Sequence, residues 1–229
     1  MDINLRSNNY KHLYDDLYFQ DRNFVDKKRL KSFCQEKGFI HKYVKGGLIC
    51  DVGCGTGEFL SYIEWHGDKY GMEINESAKK MAINSGISFE KDILNQTDFF
   101  DVVIFRGTIQ HLPNPFSYIQ NAYNSLKTGG YIIFLATPNS ESIYYKLWGT
   151  MPSLGAAFNF WIPGSAELIN VMNNFGFNHV ENRYPYIDSP YSSITKDHIL
   201  FIIKLISGGN KKIEFPFWKN VSEHIFMKP

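Results

Sequence analysis

The chain has 229 residues, of which 44% are hydrophobic and 16% aromatic, and its formal net charge is +1. This length can bury a sizeable core within one α/β-sized domain, so we predict a single domain over 1–229. The near-neutral charge argues against the broad cationic face that non-specific nucleic-acid binding needs, and we predict no nucleic-acid partner.

The number of cysteines and the length of the apolar runs indicate the cellular compartment. Cys34, Cys50 and Cys54 are odd in number and lack paired metal-ligand spacing, so we expect neither a disulfide framework nor a metal site. The apolar run at residues 199–203 ends at Lys204, far short of a membrane span. No N-terminal stretch resembles a signal peptide. We therefore expect a soluble, cytoplasmic protein that needs no membrane partner.

Strands alternate with helices through the first half of the chain. Residues 1–46 form a predicted N-terminal cap with one helix, and glycines then separate strand and helix patterns. The predicted elements are a helix over 23–36, a strand over 48–52, a helix over 56–66, a strand over 70–74, a helix from the N-cap Asn75 to residue 84, and a strand over 87–92.

The second half continues the alternation. Two nearly pure apolar runs read as central strands that are buried on both faces, and Asn114-Pro115 opens the helix between them. The predicted elements are strands over 100–105 and 131–136 around a helix over 115–127, then a helix over 165–175, a strand over 178–186, a helix over 195–207 and a strand over 221–228.

Repeated β-α units predict a parallel sheet with helices on both faces, and such sheets bind ligands beyond the carboxyl ends of their strands. We therefore place the cofactor core at 47–139. Two long connections, 140–164 and 185–220, should emerge on the ligand side as lids or substrate walls.

The loop after the first strand indicates the sign of the ligand's charge. Its spacing is Gly53-x-Gly55-x-Gly57, and the acids Asp51 and Glu58 flank it. A dinucleotide would set its diphosphate on this turn, where two nearby carboxylates would repel it by a few kcal/mol, on the order of the Coulomb energy of partly desolvated charges. S-adenosylmethionine carries a sulfonium and an ammonium that suit acids, so we prefer it to NAD.

Two further acids end the next two predicted strands. Glu73 lies about twenty residues past the loop, where a carboxylate can accept hydrogen bonds from both ribose hydroxyls. Asp92 can accept from the adenine amino group, with Ile74 and Ile93 as apolar walls for the ring. Either acid alone could be an ordinary strand-end polar residue, but together with the loop they outline one ligand.

These stretches resemble the motifs of class I S-adenosylmethionine-dependent methyltransferases: "DVGCGTG", "GMEIN", "KDI", "FDVVIFRGTIQHLPNP" and "LKTGGYIIFLATPN". The resemblance implies a Rossmann-like, seven-stranded, mostly parallel sheet with an antiparallel last strand and S-adenosyl-L-homocysteine as product. An N-terminal aromatic, Tyr14 or Tyr18, is implied over the methionine end. The expected cofactor-binding residues are Tyr14, Asp51, Gly53, Cys54, Gly55, Thr56, Gly57, Glu73, Ile74, Asp92, Ile93, Arg106 and Gly107.

Methyl transfer depends mainly on positioning, because the displacement asks for little covalent help. A neutral hydroxyl acceptor would profit from a base, and His111 follows the fourth strand near the expected methyl position. It could equally pack against the sheet. A phosphate-type oxygen would need no base and would instead favour Arg106, Lys146 or Arg183.

The tetrapeptide Asn/Asp-Pro-Pro-Tyr/Phe, which marks many N-methylases, is absent after the fourth strand, where "RGTI" stands. This favours oxygen over nitrogen as the methyl acceptor. The aromatic stretch around Tyr145 and Trp148 is either an acceptor lid or a buried flap or dimer contact. Our candidate substrate residues are Gln110, Tyr145, Trp148 and Arg183.

Our functional prediction is O-methylation of a small polar metabolite by a monomer or homodimer. A general likeness to bacterial enzymes of surface-polysaccharide biosynthesis suggests a sugar-, nucleotide-, phosphate- or phosphoramidate-type acceptor from capsule biosynthesis. Two alternatives stay open: an N-methyltransferase for an amino sugar or small amine, and an inactive partner protein that still binds the cofactor. RNA methylation is disfavoured by the charge and by the absence of an appended RNA-binding module.

Overall fold

The computed structural model describes residues 27–150, 154, 159–186, 194–206 and 218–229. Helices and strands alternate through most of this part of the chain. They are α1 (Lys27–Ile40), β1 (Ile49–Val52), α2 (Glu58–Tyr62), β2 (Lys69–Met72), α3 (Glu76–Asn84), β3 (Phe100–Arg106), a 3₁₀ turn (Ile109–His111), α4 (Pro115–Ser125), β4 (Leu126–Pro138), α5 (Ile143–Trp148), α6 (Ser165–Asn174), β5 (Asn178–Arg183), α7 (Ile194–Ile206) and β6 (Val221–Met227).

The strands form one mixed sheet in the order β2-β1-β3-β4-β6-β5. β1, β2, β3 and β4 pair in parallel, whereas β6 pairs antiparallel with both β4 and β5. The predicted α/β class and the reversed last strand are thus confirmed. Because β6 runs backwards, its first residues lie at the same sheet edge as the carboxyl ends of β3 and β4.

The predicted count of seven strands is wrong, since the described sheet has six. The segment predicted as a strand over 87–92 makes one isolated bridge, Tyr70 with Ser88. Gly71 N donates to Ser88 O at 2.9 Å and Ser88 N donates to Lys69 O at 2.8 Å. Beyond this point Asp92 accepts from the amide of Leu94, so a turn replaces further pairing at this edge of the sheet.

Several other boundaries also differ from prediction, among them the helix predicted over 56–66, which spans Glu58–Tyr62, and the strand predicted over 131–136, which spans Leu126–Pro138. Packing or strand pairing explains two further differences. The first helix runs on to Ile40 rather than ending at Glu36, because Phe39 and Ile40 are fully buried and extend its packing face. The helix predicted to reach residue 127 stops at Ser125, since Leu126 already pairs with Phe100 in the sheet.

Both faces of the sheet are buried, as the apolar strand runs predict. One face packs Val103, Phe105 and Phe134 against side chains of α4 and α6. The other face packs Val102, Ile104 and further strand residues against α1, α2 and α3. The side of α1 that faces the sheet therefore becomes part of the core and stands beside the glycine loop. Among the described helices, none combines the length and apolarity required to cross a membrane.

Candidate active site

A cleft of about 350 Å³ lies at the carboxyl ends of β1, β2 and β3, where the alternation of strands and helices places a ligand. We call it the glycine-loop cleft. Its walls come from the strand ends and the turns that follow them. The lining residues are Val52, Gly53, Gly55, Gly71, Met72, Glu73, Ile74, Lys79, Phe89, Asp92, Leu94, Arg106, Gly107, Thr108, His111, Leu112 and Tyr118.

The glycine loop takes a backbone shape that other residues resist. Gly53, Gly55 and Gly57 have φ values of 76°, 55° and 77°, all in the left-handed region. A Cβ on Gly53 would lie 2.5 Å from Thr108 Cγ2. Cys54 packs its sulfur toward Gly71, and burial raises the pKa of the Cys54 thiol, so it fills space as a neutral group. The loop thereby presents its backbone to the cleft at close range.

Glu73 ties the loop to the start of α3. Its Oε2 accepts from Gly55 N at 2.9 Å, and its Oε1 accepts from Ile74 N at 2.8 Å and Asn75 N at 2.9 Å. A carboxylate offers about four lone-pair sites, so these three amides leave capacity for a ligand hydroxyl. The amides also hold the carboxylate at the cleft wall before any ligand arrives.

The far end of the cleft combines Asp92 with apolar side chains. Asp92 Oδ1 accepts from Leu94 N at 2.8 Å and Asn95 N at 3.2 Å, which fixes the turn. Ile74 and Leu94 are about half exposed at 48% and 50%, so their apolar surface is available to contact a flat ring. Ile93, predicted as a wall, is instead buried in the core at 1% exposure because the turn points its neighbour Leu94 outward.

Asp51 is a buried carboxyl that lacks a hydrogen-bond partner for its Oδ1 among the described residues. Burial raises its pKa to about 7, while the Arg106 guanidinium acts in the opposite direction. An unsatisfied buried acceptor costs about 1–3 kcal/mol, and a cationic ligand group would remove that cost.

A smaller cavity of about 60 Å³ adjoins the cleft between α1 and the glycine loop. We call it the α1 pocket. It shares Gly53, Gly55 and Arg106 with the cleft. Its lining residues are Arg29, Phe33, Asp51, Gly53, Cys54, Gly55, Thr56, Glu58, Phe59 and Arg106.

Arg106 stands at the junction of the two cavities and is held by α1. Its Nε donates to Glu36 Oε2 at 2.7 Å and its Nη2 donates to Glu36 Oε1 at 3.2 Å. Ser32 also donates to Glu36, which is 1% exposed. The guanidinium lies 4.5 Å from the Phe33 ring centre and 5.3 Å from that of Phe59. Arg106 is thus fixed by a bidentate ion pair between two aromatic rings.

The α1 pocket offers charges of both signs. Arg29 pairs with Glu58 at 2.9 Å, and the same pocket is lined by the buried Asp51 and by Arg106. An amino-acid group carries an ammonium and a carboxylate, which match an acid and an arginine respectively. The residues therefore fit the methionine end of S-adenosylmethionine in the α1 pocket and its adenosine in the glycine-loop cleft.

His111 lies on the cleft wall at the end of the 3₁₀ turn. Its Nε2 is 3.1 Å from Nε2 of the fully buried Gln110, whose amide also donates to Gly107 O at 2.9 Å. The predicted Gln110 thus contacts His111 rather than lining the cleft itself.

The other predicted substrate residues are not gathered around the cleft. Arg183 is bound elsewhere: its Nε donates to Glu223 at 2.6 Å, its Nη2 donates to the carbonyl of Gln35, and it packs over Phe39. The Arg183 prediction is corrected because the guanidinium is already engaged on the α1 side of the sheet. Tyr145 is half-buried on α5 and outside the cleft lining. Tyr14 and Tyr18 lie outside the described residues, as does the side chain of Trp148.

Several residues at the site were missed by the sequence reasoning. Glu36, Arg29 and Phe33 lie in a segment that was predicted only as a cap, and no local motif marks them. Their role depends on α1 packing against β3, a contact between residues about 70 positions apart. Lys79 and Tyr118 also line the cleft without a motif of their own, and Thr108 lies within the stretch quoted after the fourth strand but was given no role. Among the described residues, no group of histidine, cysteine and acidic side chains is arranged to hold a metal ion.

A sequence profile described as a methyltransferase domain matches residues 28–182. This match spans well over half of the 229 residues. The chain therefore belongs to this family, with the fold of class I S-adenosylmethionine-dependent methyltransferases. The cofactor that family and fold imply is S-adenosylmethionine, which the charge and shape of both cavities fit.

Curated relatives share part of the sequence. The chain is 30% identical over 128 residues to a ubiquinone biosynthesis O-methyltransferase of Shewanella sp. (strain ANA-3), covering 51% of this chain and 52% of the relative. It is 32% identical over 89 residues to a malonyl-[acyl-carrier protein] O-methyltransferase of Calditerrivibrio nitroreducens, covering 38% and 36%. The chain spans about half the length of the ubiquinone-pathway relative and less of the other.

Solved structures share the whole fold. A Thermotoga maritima protein described as a SAM-dependent methyltransferase, possible histamine N-methyltransferase, matches with a TM-score of 0.64 at 18% identity, over 96% of this chain and 98% of that one. A SAM-dependent methyltransferase of Archaeoglobus fulgidus matches with a TM-score of 0.61 at 19% identity, over 94% and 100%. At these identities the likeness establishes the fold alone.

Proposed function

We propose that this protein is an S-adenosylmethionine-dependent methyltransferase that methylates an oxygen atom of a small polar metabolite. The observation that carries the cofactor assignment is the buried Oδ1 of Asp51, which has no hydrogen-bond partner among the described residues and lies in the α1 pocket, next to the cleft that Glu73 and Asp92 line. Such a site suits a positively charged nucleoside and opposes a diphosphate.

Each part of the site has a distinct task in this proposal. Glu73 and Asp92 bind the ribose and the adenine edge, and Ile74 and Leu94 cover the ring. Asp51 and Arg29 hold the ammonium and the carboxylate of the methionine end. When bound, the cofactor supplies an electrophilic methyl group on a sulfonium. The protein's contribution is then to align the acceptor with that methyl group and to exclude water.

Oxygen is the preferred acceptor atom for two reasons. The "RGTI" sequence after β3 replaces the tetrapeptide that marks many N-methylases. Both curated relatives described above carry the name O-methyltransferase. The narrower prediction of a capsule or surface-polysaccharide acceptor stays a prediction, because those relatives are named for ubiquinone and malonyl-[acyl-carrier protein] chemistry.

Transfer to nitrogen is the second candidate, favoured by the structural neighbour that is described as a possible histamine N-methyltransferase. An assay of S-adenosylhomocysteine release against matched panels of small carboxylates, phenols, sugar hydroxyls and primary amines separates the two. We expect release with an oxygen acceptor and slower release in Glu73→Gln when the cofactor concentration is below saturation. Release with amines alone would assign nitrogen chemistry, and cofactor binding without any release would favour an inactive partner protein.

A further inference from the structure

The contact between Gln110 and His111 determines which nitrogen of the His111 ring carries its hydrogen. Gln110 is fully buried, and its Nε2 lies 2.9 Å from Gly107 O and 3.1 Å from His111 Nε2. A carboxamide nitrogen carries two hydrogens, so it can serve both neighbours at once. Both neighbours must then be hydrogen-bond acceptors.

The orientation of the Gln110 amide follows from its fixed neighbour. A backbone carbonyl can only accept, so the group 2.9 Å from Gly107 O has to be the NH₂ end. The reversed amide would set two oxygens against each other and would leave its buried NH₂ where Oε1 now has no partner among the described residues. The observed orientation loses one acceptor, whereas the reversed one loses two donors and adds a repulsion.

The backbone around this pair holds it in place. His111 N donates to Thr108 O at 2.8 Å, and Phe160 N donates to Gln110 O at 2.7 Å. The turn is therefore held by Thr108, the residue that precedes it, and by the segment that precedes α6. Gln110 cannot easily swing away from the ring that it contacts.

We propose that Gln110 is a positioning residue that holds His111 in the neutral form with the hydrogen on Nδ1, so that His111 does not act as a base toward the methyl acceptor. The Nε2 lone pair accepts from Gln110, and the Nδ1 lone pair is taken up by its hydrogen. His111 in this state cannot take a proton from an acceptor. This replaces the role of general base considered for it above.

The inference deepens the proposed function and rests on it, because it selects a class of acceptor. A ring that cannot take up the acceptor's proton suits an oxygen that is already anionic near neutral pH, as in a carboxylate or a phosphate. That oxygen forms the bond to the methyl carbon, the carbon–sulfur bond breaks, and its electron pair stays on sulfur. No proton has to be removed, so His111 keeps its hydrogen throughout.

The test is the ring ¹⁵N–¹H correlation spectrum of the full chain labelled in its seven histidines, with S-adenosylhomocysteine bound. His111 is assigned by the signals that vanish in His111→Asn. The nitrogen correlated with both ring C–H protons is Nε2, and we expect it in the unprotonated range with Nδ1 in the protonated range. A protonated Nε2, a doubly protonated ring or averaged shifts would each overturn the inference.

Two variants sharpen the result. In Gln110→Glu the carboxylate accepts from the ring, so the hydrogen should move to Nε2 and the pattern should invert. Gln120→Glu adds the same charge at an exposed position of α4 and should leave the His111 pattern unchanged. An unchanged pattern in a folded Gln110→Glu variant contradicts the inference. Failure of the wild-type chain to bind S-adenosylhomocysteine in calorimetry would instead contradict the proposed function. A failure of the inference can therefore be distinguished from a failure of the proposed function.

Discussion

The glycine-loop cleft and the α1 pocket adjoin each other and share Arg106, yet they are built in different ways. The cleft is made of strand ends and the turns after them, so each polar group stands within a local motif. The α1 pocket depends on a helix from the N-terminal region that reaches across β3. A substitution of one loop residue should therefore impair the glycine-loop cleft, whereas a substitution that weakens the packing of α1 should impair the α1 pocket.

The largest effect should come from the α1 pocket. Glu36→Gln leaves Arg106 buried without its anionic partner, which should lower the free energy of unfolding by about 3–5 kcal/mol. Urea denaturation monitored by circular dichroism measures this. Glu64→Gln is the control, because its ion pair with Lys37 is exposed and should leave stability unchanged. Equal midpoints for both variants would show that the Glu36–Arg106 pair does not stabilise the fold.

The glycine loop should be next. Gly53→Ala forces a left-handed φ of 76° on an alanine and brings its Cβ against Thr108. Strain of about 1–3 kcal/mol at the loop should weaken S-adenosylhomocysteine binding by about tenfold or more, measured by calorimetry. Gly38→Ala is the matched control, since a Cβ there meets nothing within 4 Å. Wild-type affinity in Gly53→Ala would contradict the role given to the loop.

A smaller loss should follow removal of the charge on Glu73. Glu73→Gln retains the size of the side chain but weakens its bonds to Gly55 N and to ribose hydroxyls, at a cost of about 1–3 kcal/mol in ligand binding. The exposed Glu76 on α3 provides the control substitution Glu76→Gln. If the two variants bind S-adenosylhomocysteine equally well, Glu73 does not contact the ligand.

The smallest effect should be a dependence on pH that belongs to the α1 pocket. The pKa of Asp51 is raised to about 7, mainly by burial. The carboxyl must lose its proton before it can pair with an ammonium, so S-adenosylhomocysteine affinity should fall as the pH drops below about 7, by at most about tenfold per unit. Asp51→Asn should abolish this slope in calorimetric titrations between pH 6 and 8. A slope that persists in Asp51→Asn would assign the proton to another group.

The same contrast explains what could be predicted from the sequence. Glu73 and the three loop glycines follow strands whose apolar patterns are local, and Asp92 follows a segment that touches β2 through one bridge, so their common edge could be inferred. Glu36 and Arg29 gave no such signal, because their partners lie on other elements and only the packing of α1 brings them together.

Two errors have the same physical origin. The seventh strand was predicted from the local pattern of Ile87 and its neighbours. A strand at the edge of a sheet also needs pairing with its neighbour, and here β2 makes only one bridge, from Tyr70 to Ser88. Arg183 was assigned to the substrate by its charge alone, whereas the buried Glu223, its pairing partner on the adjacent strand β6, engages it. The local pattern thus predicted several residues that line the glycine-loop cleft, while contacts between distant segments decide which charges remain for a ligand.

The central claim is that acids at three neighbouring segments of one sheet edge recognise a positively charged sulfur nucleoside. Calorimetric titration of the full chain with S-adenosylmethionine, S-adenosylhomocysteine and NADH under one buffer tests it directly. We predict saturable binding of the first two and none of NADH. Tight binding of NADH together with indifference to both sulfur nucleosides would contradict the claim.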